Sequence, residues 1–141
     1  MKPLLQKSKN INIYTIKTQK NLGIWMDHST ANLIDLDSKK NTQAIVSNFT
    51  NNTKEEALNR SESLMHNKRQ QMNEAFYKEI AAKILKYNNV LLFGPTNANV
   101  ELHNYLDKDL HFKDIKIDVA SADKMTNNQQ VAFVKQHFKE S

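Results

Sequence analysis

A chain of 141 residues, 39% of them hydrophobic, has the length of a single domain and can bury roughly two thirds of its unfolded surface without metal or disulfide staples. It contains no cysteine, which excludes disulfides, thiolate metal sites and cysteine nucleophiles. The formal charge is +5, and Lys2, Lys7, Lys9, Lys17 and Lys20 account for all of it, because the first 20 residues carry no Asp or Glu and the other 121 sum to zero.

Residues 1–20 therefore read as a basic, flexible arm. An unbalanced arm of this kind suits nucleic acid, and a short lysine-rich tail also serves solubility. Within it Ile11-Asn12-Ile13-Tyr14-Thr15-Ile16 alternates as an added edge strand would. Leu4 and Leu5 are isolated among polar residues, so neither a secretory signal nor a membrane span is expected, and a cytoplasmic location follows.

The folded domain is expected over residues 21–141. Residues 22–28 and 31–36 read as two strands of a hairpin joined at Ser29-Thr30, and residues 42–49 as the third strand of the meander. Residues 50–60 are polar and rich in asparagine, matching a mobile loop or a frayed turn from Thr53 with Glu56 as capping partner. A long helix is predicted over residues 62–87, burying Met65, Met72, Phe76, Ile80, Ile84 and Tyr87 on one stripe. Its other face shows Lys68, Arg69, Lys78, Lys83 and Lys86 among Glu74 and Glu79.

Val90-Leu91-Leu92-Phe93 has no polar residue for a wet face, as in a central parallel strand covered on both sides. Gly94-Pro95 ends that strand, and Thr96 or Asn97 can cap a helix burying Leu102, Tyr105 and Leu106. Residues 107–114 read as a polar connection and residues 115–119 as an alternating strand. Thr126-Asn127-Asn128-Gln129 fits a capping box, opening a last helix that buries Val131, Val134 and Phe138. One core is expected, including Ile24, Met26, Leu33, Ile45, Leu91, Leu92, Ile117 and Val119 besides these helix residues.

The order β-β-β-α-β-α-β-α is the ribonuclease H-like arrangement, an α/β three-layer fold on a five-stranded mixed sheet. Gly23-Ile24-Trp25-Met26-Asp27-His28-Ser29-Thr30-Ala31-Asn32-Leu33-Ile34 resembles the opening hairpin of the central domain of archaeal and eukaryotic peptide-chain release factors and their Pelota relatives, which have stand-alone bacterial cousins. Phe76-Tyr77-Lys78-Glu79-Ile80-Ala81, then Leu91-Leu92-Phe93-Gly94-Pro95 and Glu101-Leu102, look like that domain's long helix and its turn. The match covers residues 22–138. In true release factors a Gly-Gly-Gln loop before the long helix positions the hydrolytic water. Here residues 50–71 contain no glycine, and Gln70-Gln71 falls in the predicted helix. The resemblance therefore implies a translation factor of the rescue or hibernation kind, associated with ribosomes or structured RNA, without peptidyl-tRNA hydrolysis and with no cofactor.

Lys2, Lys7, Lys9, Lys17, Lys20, Lys68 and Arg69 are the candidate RNA contacts, through phosphates. Gly94, Thr96 and Asn97 are a candidate phosphate-facing turn at a helix start, without the glycine pattern that makes such a site specific. Two alternatives stand beside the translation factor: a protein interaction module on the same fold, and a metal-dependent nuclease using Asp27. The nuclease needs several converging carboxylates, and none pairs with Asp27 at the end of the central strand. His28, His66, His103, His111 and His137 show no metal-binding spacing, and adjacent Asp27-His28-Ser29 point to opposite faces of a strand. No catalytic constellation is read, so the chain is expected not to be an enzyme.

Overall fold

The apolar strands alternate between two covered faces, and this alternation organises the architecture. The computed structural model describes residues 19–38, 42–47 and 62–140, with side chains from Gln70 onward in the last of these stretches. Strands β1 (Asn21–Met26), β2 (Thr30–Ile34) and β3 (Thr42–Val46) form the antiparallel meander. Helix α1 (Glu62–Ile84) leads to β4 (Asn89–Gly94). Helix α2 (Ala98–Asp107) and a 3-10 turn (Leu110–Phe112) lead to β5 (Lys116–Ser121), and α3 (Asn127–Glu140) follows.

The sheet order is β3-β2-β1-β4-β5, with β4 parallel to both neighbours. The sheet is thus mixed and five-stranded, as the element order requires. Val90 to Phe93 are at most 1% exposed, in keeping with a central strand buried on both sides.

Two clusters replace the single expected core. Leu22, Ile24 and Met26 of β1 and Val90 and Leu92 of β4 pack under Phe76, Ile80 and Ile84 of α1 and Leu102 and Leu106 of α2. On the opposite face Trp25, Ile34, Leu91 and Phe93 pack against Val134 of α3. Phe93 and Phe133 stack with ring centroids 4.6 Å apart. Gly23 lets α3 approach the sheet, since a Cβ there would lie 2.2 Å from Val134 Cγ2.

Several expectations need correction. The connection after α2 is not wholly polar, because Phe112 is buried in the α1/α2 cluster. Val119 is 40% exposed, since β5 is an edge strand. Met72, Tyr87, Tyr105, Ile117, Val131 and Phe138 are only partly buried, and the long helix stops at Ile84 rather than residue 87, leaving Tyr87 in the turn that follows it. The expectations for the arm through Thr18, for the loop at residues 50–60 and for Met65 lie outside the described residues or side chains.

Candidate functional site

At the end of the sheet where β1, β4 and β5 finish, Asp27 closes the hairpin. Its Oδ1 accepts from the backbone N–H of Ser29 and of Thr30, both at 2.8 Å, and its own N–H donates to Thr30 O at 3.0 Å. That is the turn role an Asp side chain performs by mimicking a backbone acceptor. Among the described residues no three His, Cys, Asp or Glu side chains are placed to hold a metal ion.

Beside this turn His28, Glu101 and Tyr77 converge from β1's end, α2 and α1. His28 Nε2 lies 3.1 Å from Glu101 Oε2, and a ring nitrogen facing a carboxylate carries the proton. Tyr77 O–H donates to Glu101 Oε1 at 2.8 Å. Partial burial pulls the Glu101 pKa upward, but the bonds from His28 and Tyr77 outweigh it and hold the group below its ordinary value. Burial first, and the Glu101 carboxylate second, push the Tyr77 phenol far above its usual range. The trio pins the hairpin to both helices. Its members are 24 and 73 residues apart, so no local spacing announced it.

Gly94 ends β4 with φ +156°, and a Cβ there would lie 2.0 Å from Met26 O. That close approach admits only glycine. Thr96 Oγ1 accepts from Ala98 N at 3.2 Å, while Asn97, the N-cap residue of α2, makes no side-chain cap bond. Gly94, Thr96 and Asn97 do line one open concavity of about 300 Å³, facing Ser121 and Asp123. An anion in it meets the backbone of a helix start on one side and the Asp123 carboxylate on the other.

The opposite end of the sheet receives Lys20. Its N–H donates to Asn88 Oδ1 at 2.8 Å, which fixes the entry of the chain into β1 beside the α1–β4 connection. Of the other candidate contacts, Lys2, Lys7, Lys9 and Lys17 lie outside the described residues, as do the side chains of Lys68 and Arg69 on α1. Gln70 and Gln71 lie in α1 and are exposed. Near Lys20, Tyr87 O–H donates to Asp35 Oδ2 at 2.7 Å, joining the end of α1 to the end of β2.

No protein-family model and no curated protein matches the chain. Solved structures do. Pelota from Archaeoglobus fulgidus aligns with a TM-score of 0.52 and 10% identity, over 89% of this chain and 34% of that one. Pelota from Thermoplasma acidophilum aligns with a TM-score of 0.51 and 13% identity, over 98% of this chain and 39% of that one. The chain thus spans well under half the length of these Pelota proteins. The likeness is one of fold, and it is the fold that the resemblance to release factors and Pelota implied.

Proposed function

We propose that this chain is a non-catalytic translation factor that associates with ribosomes or structured RNA, in the manner of a rescue or hibernation factor. The observation that carries the reading is the fold, shared with two archaeal Pelota proteins over 89% and 98% of the chain. Two features of the sequence support it: residues 50–71 hold no glycine from which a Gly-Gly-Gln loop could be made, and the arm carries lysines without acids. The described helices include none long and apolar enough to cross a membrane.

Sedimentation with purified ribosomes at low and high salt tests the proposal. Co-sedimentation at low salt that is lost at high salt is expected, with no peptide released from peptidyl-tRNA. Salt-independent binding, or peptide release by the purified protein, would sink it. A second reading, a protein interaction module, is favoured by the zero net charge of residues 21–141. It predicts no ribosome binding at any salt concentration.

A further inference from the structure

Asn88, between α1 and β4, is held by lysine-bearing backbone on both sides. Its N–H donates to Lys20 O at 2.9 Å, and its carbonyl accepts from Lys116 N at 2.9 Å. Just before it, Lys83 and Lys86 line a concavity of about 120 Å³ together with Asp35, Ser38, Gln43 and Tyr87. Lys20, Lys86 and Lys116 are exposed and Lys83 is half-buried, so four cations border one junction. Amides neighbour Asn88 and Lys20 in the chain: Asn89 Nδ2 donates to Asn21 Oδ1 at 2.9 Å and also to Gln19 Oε1.

The acids of this end are Asp35, Asp37 and Asp114, with Asp107 and Asp109 bordering a hollow on the α2 side of β5. Asp35 is already engaged, accepting from Tyr87 O–H and from Asp37 N. In the sequence Lys39 and Lys40 follow Ser38, and Lys17 precedes Lys20. The opposite end of the sheet carries Asp27, Glu101 and Asp123 with Lys124. The excess of lysine is therefore local to the surroundings of Asn88, where the basic arm joins the domain in sequence.

We infer that the α1–β4 junction, bordered by Lys20, Lys83, Lys86 and Lys116, is an RNA-binding surface that continues the arm into the folded domain. It takes the phosphate backbone without reading base sequence, because lysine ammonium groups act on phosphates as point charges. The neighbouring amides suit sugar and phosphate oxygens. A membrane fits less well: Leu85 is the exposed large apolar residue at this junction, too little to insert beside the charge. The inference rests on the proposed association with ribosomes or RNA only for the identity of the partner.

The test compares the wild-type protein with K20Q/K83Q/K86Q/K116Q and with K78Q/K124Q, whose lysines lie away from the junction. Lys20 and Lys116 make their bonds to Asn88 through backbone, so the first variant should keep its melting temperature, which is checked alongside. Binding to a fluorescein-labelled 20-nucleotide single-stranded RNA and to ribosomes is followed from 50 to 200 mM salt. Each phosphate contact contributes about 0.7 to the slope of log affinity against log salt, so the first variant should lose about 3 from that slope. The second should keep the wild-type slope. Equal slopes in wild type and first variant, or an equal loss in both variants, overturn the surface. RNA binding that depends on the four lysines, with no ribosome binding, removes the ribosome from the proposed function and leaves this surface standing. Binding to phosphatidylserine vesicles but not to RNA overturns it in favour of a membrane.

Discussion

Two glycines and one leucine show how closely this fold is packed. A Cβ at residue 94 would meet the backbone oxygen of Met26 at 2.0 Å, and backbone cannot rotate away as a side-chain tip can. Gly94→Ala should therefore cost at least about 2 kcal/mol in denaturant unfolding, combining the clash with an unfavourable φ. At residue 23 the obstacle is the Val134 side chain, 2.2 Å away, so a partner substitution can relieve it. Gly23→Ala should destabilise, and adding Val134→Ala should recover part of the loss, giving a non-additive cycle. Leu92 is fully buried between two parallel neighbours, and Leu92→Ala should cost about 2 to 5 kcal/mol because the cavity cannot collapse. An unchanged melting temperature for any of these single variants would contradict the packing described. At the same scale Tyr87, pushed up to about 12 by burial and by its bond to the Asp35 carboxylate, favours its neutral form when folded. That contribution is present below the ordinary tyrosine value of about 10 and is lost as pH rises toward the folded value. Tyr87→Phe should flatten the alkaline loss of stability, whereas an identical alkaline profile would remove Tyr87 from that role.

At the scale of elements, α3 is the helix that covers the second face of the sheet, and its start is defined by the capping box. Thr126 N donates to Gln129 Oε1 at 2.8 Å and Gln129 N to Thr126 Oγ1 at 3.2 Å, so two otherwise orphan donors are satisfied reciprocally. Thr126→Ala should cost about 1 kcal/mol and raise amide exchange first in α3; uniform exchange across the domain would argue against a local cap. This box was legible because it is a four-residue pattern. The β4 strand was legible for a similar reason: an unbroken apolar run, ended by Gly-Pro, has few structural alternatives. Burial at the margins was less legible. Val119 alternates like a core residue but belongs to an edge strand, and sheet order is not written in one strand's pattern. Phe112 sits among charged neighbours, and only its contact with α1 and α2 residues makes it core. Splitting the apolar set into two clusters likewise required the sheet itself, because strand alternation assigns a residue to one face or the other without saying what covers each.

For the whole molecule, the question is which end of the sheet meets a partner. The end with Asp27, Glu101 and Asp123 is acidic and internally tied: Asp27 is committed to its turn, and Glu101 to His28 and Tyr77. The end with Lys20 receives the arm, whose Lys2, Lys7, Lys9 and Lys17 meet no acid before residue 21. If both arm and junction contact phosphates, their contributions to the salt slope should add, because counterions are released at each site. Deleting residues 1–18 leaves every β1 pairing in place, since these begin at Asn21 and Lys20 keeps its bonds to Asn88. The shortened protein should therefore unfold cooperatively at a similar temperature while its ribosome-binding slope falls by about 3, for four lysines at roughly 0.7 to 0.9 each. Combined with substitution of Lys20, Lys83, Lys86 and Lys116, the slope should fall by about 6, and any remainder falls to Lys68 and Arg69. A deletion that leaves the slope unchanged would confine RNA contact to the folded domain. A deletion that abolishes the slope by itself would confine contact to the arm and make the lysines around Asn88 an ordinary solvated surface.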